Sequence, residues 1–219
     1  MTLNFKSEGM IYINTAYFIS DQIMVPLSSY NSGKIKFYDM NSNLTGVIEN
    51  DVGFVLALNK FFWKKKKKNI ILNSNIKGVI TYILEDLSLY KKFIPASIEL
   101  KSINPFCESH IFEKNNKLIV IGASFYYGDI YFWNFETGEL NCKISLNNEI
   151  SDMCIFNNKF IVACFGFIII NGNNNKIEKR IERKDKDRIC GIKVLKRGMG
   201  GNFFISVFLS GKLNLINLK

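Results

Sequence analysis

The sequence predicts an all-β fold built from repeated four-stranded antiparallel units, and three observations predict it. Between Phe112 and Leu146, Lys117–Gly122 is apolar, Asp129–Phe135 alternates, and Glu139–Leu146 follows a Thr137-Gly138 turn. Alternation between turn signals is the pattern of half-buried strands. Glycines open the same kind of strand at Gly33, Gly78, Gly128, Gly166 and Gly211, spaced by 45, 50, 38 and 45 residues. A second landmark keeps that period: Asn115-Asn116-Lys117, followed by Leu-Ile-Val, recurs 42 residues later as Asn157-Asn158-Lys159, followed by Phe-Ile-Val. Lastly, no segment sustains a 3.6-residue apolar period, so helices should be few.

Taken in order, the first unit has strands near Met10–Asn14, Gln22–Leu27, Lys34–Asp39 and Thr45–Glu49, with Ala16–Ser20 competing for its first strand. The second has Gly53–Leu58, Asn69–Asn73, Gly78–Leu84 and Ser88–Phe93. The third adds Ser109–Phe112 to the three strands above. The fourth has Asp152–Phe156, Phe160–Phe165, Phe167–Asn171 and Lys176–Ile181. The fifth has three, Ile189–Leu195, Phe203–Leu209 and Lys212–Leu218, while Thr2–Lys6 is a strand without an assigned partner.

An apolar strand, then Gly-x-Ile-x-Phe-Trp-Asn at Gly128–Asn134, then Thr137-Gly138 and an outer strand, resembles one blade of a WD40 repeat. That family's period is about 40–45 residues. Trp133-Asn134 stands where the family shows Trp-Asp, Tyr38-Asp39 keeps the aspartate, and the Gly-His that usually opens a blade is absent. The resemblance implies a small β-propeller of about five blades, within the range of roughly 4–8 known for propellers. It implies one domain over residues 1–219. It also implies that Thr2–Lys6 closes the last blade as an outer strand, because an open edge invites pairing with other chains.

Composition narrows the class. With 219 residues and 47% hydrophobic content the chain can bury a core, and 14% aromatics argue against disorder. A net charge of +10 favours acidic partners or anionic surfaces. The five cysteines make no CxxC pair and the one histidine is His110, so no zinc-ligand spacing exists and no metal or cofactor is expected. The odd cysteine count and lack of a signal peptide point to a reducing compartment, cytoplasmic or nuclear. The most apolar run, Phe160–Ile170, is eleven residues, against about 20 needed for a membrane span.

The loudest local feature is Phe61-Phe62-Trp63 followed by Lys64, Lys65, Lys66, Lys67 and Lys68. Lysines neutralise phosphates while aromatics stack on bases or enter a membrane interface. The plainer reading is a solvated loop between two strands. Lys176–Arg188 carries both signs and reads as an outer strand with its connection. Lys196-Arg197-Gly198 shares part of the Arg-Arg-Gly element of phosphoinositide-binding propellers, and Gly198–Gly201 reads as a hairpin turn. His110 has no sequence neighbour to orient it for catalysis.

These features favour a non-enzyme: a scaffold or adaptor subunit of a multi-protein complex. The expected partner contacts are Phe61, Phe62, Trp63 and Lys64–Lys68, together with Tyr126 and Tyr127 near a turn, since interface hot spots favour aromatics. Trp133 sits in the motif strand, where burial is the competing reading. The alternative function is a nucleic-acid-associated propeller, in RNA processing or ribosome biogenesis, resting on the +10 charge and the lysine run.

Overall fold

Every described element of the chain is a β-strand. A computed structural model describes residues 17–19, 22–28, 33–50, 55–96, 105–182, 187–197 and 201–217. The chain divides into two compact units, Met1–Ser109 and His110–Lys219. In the first unit, β1 (Tyr17–Ile19), β2 (Gln22–Ser28), β3 (Gly33–Asp39) and β4 (Leu44–Asn50) form one sheet in that order. A second sheet follows with β5 (Val55–Trp63), β6 (Lys68–Asn75), β7 (Val79–Ile83) and β8 (Leu89–Phe93). The unit boundary falls inside β9 (Phe106–Lys114), which forms the third sheet with β10 (Lys117–Ser124), β11 (Asp129–Asn134) and β12 (Leu140–Ser145). The second unit continues with β13 (Asp152–Phe156), β14 (Lys159–Ala163), β15 (Gly166–Asn171) and β16 (Ile177–Glu182). A three-stranded sheet ends it: β17 (Ile189–Arg197), β18 (Gly201–Phe208) and β19 (Leu213–Asn217).

These are the five repeated units expected, including a fifth of three strands. The first strand of blade one is Tyr17–Ile19, the competing segment. Met10–Asn14 and Thr2–Lys6 lie outside the described residues. One boundary needs correction. β5 does not stop at Leu58 but runs to Trp63, because Phe61, Phe62 and Trp63 pair with Ile70, Asn69 and Lys68. The lysine run is therefore no inserted loop. Lys64–Lys67 is a tight hairpin turn and Lys68 opens β6.

Burial explains the sequence pattern within each blade. β11 and β15 are buried on both faces except for their last residue, so they read as continuous apolar runs. β12 and β16 are mostly exposed, and β16 carries four charged residues. In the first unit Met24, Ile35, Phe37 and Ile48 pack against Leu58, Ile71, Ile80 and Tyr82 of the next sheet. In the second, Ile161 and Phe167 pack with Ile189, Ile192 and Phe208. Each such side chain contributes about 1.5–3 kcal/mol when fully buried. Trp133 is part of the core, only 1% exposed.

The repeating glycines have a steric cause. A Cβ on Gly78 would collide with the carbonyl oxygen of Phe93, and one on Gly166 with that of Ile181. In both blades the outer strand crosses the start of the third strand too closely for a side chain. Gly211 differs: it has open space around it but a φ of +82°, so there the backbone conformation selects glycine.

The far end of the third strand repeats as well. The pairing shifts register at Phe37/Tyr38, Thr81/Tyr82, Phe132/Trp133 and Ile169/Ile170. The turn that follows contains a left-handed residue each time: Ser42, Leu87, Gly138 and Asn175. Asn134 stands at the family's aspartate position, and its Oδ1 accepts the backbone N–H groups of Glu136 (2.8 Å) and Thr137 (3.0 Å). Asp39 Oδ1 does the same for Asn41 and Asn43, and Asn171 Oδ1 for Asn173. The turn needs an acceptor oxygen rather than a charge, so asparagine replaces aspartate without loss of the cap.

First strands are tied to one another by polar side chains. Asn59 Nδ2 of β5 donates to the carbonyl of Ser109 at 2.8 Å and to the Glu108 carboxylate. His110 Nε2 of β9 donates to the Met153 carbonyl at 2.9 Å. Asp152 Oδ2 of β13 accepts the Ile192 N–H at 2.8 Å. Three residue types perform one task.

Candidate functional site

The expected contact residues fall in two places, one in each unit. On blade two, Trp63 closes the hairpin against Lys68 and is buried, 7% exposed. Its ring packs edge-on to Tyr90 with centroids 5.5 Å apart, and Lys91 Nζ lies 5.9 Å from the Tyr90 ring. Phe61 is half-buried, whereas Phe62 is 50% exposed on the opposite face of the strand. Lys64 to Lys67 are all exposed, and the turn is held by the Lys66 N–H to Trp63 carbonyl bond and the Lys67 N–H to Lys64 carbonyl bond. Alternation of β5 separates the aromatics: Trp63 supports the hairpin and Phe62 faces water.

In the second unit, Tyr126 and Tyr127 occupy the β10–β11 turn, 58% and 51% exposed. Phe125 beneath them stacks edge-on against Tyr126 at 4.8 Å. Arg188 lies over the Phe125 ring, 4.6 Å from its centroid, and pairs with Glu149 at 3.2 Å. The Leu209 N–H donates to the Arg188 carbonyl, which brings the β18–β19 turn alongside, with Leu209 73% exposed. Asp187 fixes that turn by accepting the Ser210 N–H and hydroxyl. The blade-three turn, through Phe125, and the blade-five turn, through the Leu209 backbone, thus meet at Arg188 and form one rim.

A cavity of about 250 Å³ opens in the same unit, lined by Asn148, Cys164, Phe165, Ile168, Arg180 and Glu182 among others. Its floor is apolar, since Cys164 and Ile168 are buried, and its wall is the half-exposed Phe165. Burial pushes the Cys164 thiol up in pKa, which keeps it protonated and unreactive. From the sequence, Arg180 and Arg188 belong to the charged tract Lys176–Arg188, whereas Leu209 and Phe165 carry no signal of their own. Only proximity in the fold makes these residues a surface.

Beside this rim, Asp129 is a buried carboxylate with a full set of partners. It accepts hydrogen bonds from Ser145 Oγ (2.6 Å), Tyr131 OH (3.2 Å) and Lys143 Nζ (3.3 Å). The rings of Tyr131 and Trp133 stack with centroids 5.4 Å apart. The network fixes the β11–β12 pairing under the tyrosine turn. His110 is committed to its tie with Met153, and desolvation holds its pKa below the usual histidine value. Among the described residues no three His, Cys, Asp or Glu side chains converge as a metal site.

Solved structures with the same architecture are found. The WD40 β-propeller domain of Doa1 superposes with a TM-score of 0.67 at 11% identity, covering 93% of this chain and 62% of that one. The fold is a β-propeller, here with five small antiparallel sheets. BBS1N, in its crystal structure in complex with ARL6DN, gives a TM-score of 0.66 at 11% identity over 90% of this chain and 61% of that one. The propeller thus spans about three-fifths of the length of the structures it matches. No protein-family model matches the chain, and no curated protein sequence does. Among the described residues no helix is long and apolar enough to cross a membrane.

Proposed function

We propose that this propeller is a non-catalytic scaffold subunit that binds other proteins of a multi-protein complex through the rim of its second unit. One observation carries the reading: Tyr126, Tyr127 and Leu209 stand exposed on two turns that meet at Arg188, which is held by Phe125 and Glu149. Aromatic and arginine side chains on a preorganised surface are what interface hot spots are made of. The adjoining cavity is small for a metabolite but suits one partner side chain, with Arg180 and Glu182 at its mouth to orient the flanking backbone. A neighbour of the same fold, BBS1N, is itself seen in complex with ARL6DN. An odd number of cysteines, with no CxxC pair among them, favours a cytoplasmic or nuclear setting.

Placing a photo-crosslinking residue at Tyr127 should capture a discrete partner in cells, and the adduct should vanish on Tyr126→Ala. Adducts no stronger than those from the same probe at the outer-strand residue Lys179 would sink the rim. We further propose that residues 1–219 act as one domain. Calorimetry should then give a single transition with equal calorimetric and van't Hoff enthalpies; two separate transitions would contradict it. The nucleic-acid reading retains the exposed lysines of blade two in its favour, and a steep fall of RNA binding with salt would be its sign.

A further inference from the structure

The hairpin joining the first two strands occurs in blades two, three and four, and its turn differs in one of them. In blades three and four the turns are Asn115-Asn116 and Asn157-Asn158, with all four asparagines left-handed. Asparagine is a residue such turns ask for. In blade two the turn is Lys64–Lys67, two residues longer, with Lys67 left-handed at φ 51°. Lysine has no side-chain acceptor to cap the turn and no special tolerance of that conformation. The fold does not call for these lysines.

Nor does the blade neutralise them. Its two acids are otherwise engaged: Glu85 accepts the N–H and Nδ2 of Asn69, and Asp86 accepts the N–H and hydroxyl of Ser88. Among the described residues no carboxylate pairs with Lys64, Lys66 or Lys67. Residues 55–96 hold nine lysines against those two acids, so this blade supplies most of the chain's excess charge of +10. A tight turn also keeps the like charges together, where a free tail would let them spread.

We propose that the blade-two hairpin tip docks an acidic, extended segment of a protein partner, with Phe62 against an apolar side chain and Lys64, Lys66 and Lys67 on its carboxylates. This rests on reading the chain as a protein-interaction scaffold. The aromatics decide between classes of polyanion. Binding of single-stranded nucleic acid to such a patch needs exposed rings for base stacking. Trp63 is buried and its ring faces Tyr90, which leaves one exposed phenylalanine beside the charges. An apolar residue flanked by acids is the segment that matches one exposed ring flanked by lysines.

The test uses the full chain and a fluorescent twelve-residue peptide of Glu and Asp with one central Leu, followed by anisotropy at physiological salt. The triple variant Lys64→Ser, Lys66→Ser, Lys67→Ser should bind at least about tenfold more weakly. Phe62→Ser should weaken binding about threefold. Both should melt like the native chain, because the substituted residues are exposed. Tyr126→Ala with Tyr127→Ala should leave peptide binding unchanged, which separates this surface from the rim. Absent binding by the native chain, or unchanged binding by the triple variant, overturns the proposal while leaving the rim crosslink to be judged alone. It is equally overturned if a twelve-nucleotide single-stranded RNA, or phosphatidylserine vesicles, bind more tightly than the peptide and lose that binding in the triple variant.

Discussion

Blades two and four follow one plan with different turn chemistry. In blade four, asparagines occupy the left-handed positions of the first and third hairpin turns: Asn157, Asn158 and Asn175. In blade two, Lys67 and Leu87 occupy left-handed positions, where a bulky side chain is strained. Leu87 has a compensation, since it packs against the cluster of Phe37, Ile80 and Tyr82. Lys67 has no such contact with the core. A fold can carry an ill-suited turn residue when packing offsets the strain; where packing does not, the residue points to a role outside the fold.

The contrast can be broken or sharpened by substitution. The largest effect belongs to what the two blades share. Gly166→Ala drives a Cβ into the Ile181 carbonyl and should cost about 1–3 kcal/mol by denaturant titration, and Gly78→Ala should match it. Gly211→Ala meets only open space and should cost about 1 kcal/mol of backbone strain. Equal costs at Gly166 and Gly211 would refute the crossing-strand explanation.

Leu87→Asn tests the compensation directly. Asparagine suits the left-handed position but forfeits the core contact, so a net loss of about 1 kcal/mol is expected. A gain in stability would show that packing does not select the leucine.

The first-strand ties can be probed by pH, because the chain has one histidine. Desolvation lowers the His110 pKa in the folded state, with the Met153 carbonyl and Asp152 opposing it and Lys193 adding to it. The unfolded chain therefore binds the proton more readily. Stability should be full above the unfolded value of about 6.5 and decline as pH falls through it toward the folded pKa. His110→Gln keeps a donor for Met153 and should remove that slope. A slope that persists would assign the titration elsewhere.

The smallest effect is at Lys67. Lys67→Gly relieves the left-handed strain and should raise stability by about 0.5 kcal/mol, less whatever the freer unfolded chain takes back. A clear loss would mean that the lysine turn is held by the fold after all.

Much of the architecture was legible in the chain because its signals are local. Alternation marks β11, Asn-Asn marks two turns through positive φ, and Gly78 and Gly166 mark where the outer strand crosses the third. A strand ending at Leu58 is too short, because the pairing of Asn59 with Leu72 and of Lys60 with Ile71 keeps both residues in β5. The candidate surfaces were half legible. Tyr126 and Tyr127 stood out as turn aromatics, and the lysine run as charge.

What the sequence determined by itself is the repeat, the strand order within each blade and the turn residues, since each depends on neighbours a few positions away. Only the tertiary structure decided that Trp63 is buried while Phe62 is exposed, that Asn59, His110 and Asp152 share one task, and that Arg188 completes a rim with Phe125. Those outcomes depend on register and on the meeting of turns some 20 to 60 residues apart, as between Phe125 and Arg188 or Arg188 and Leu209. Contacts across such separations are set by how the sheets pack, and no local pattern of residues encodes them.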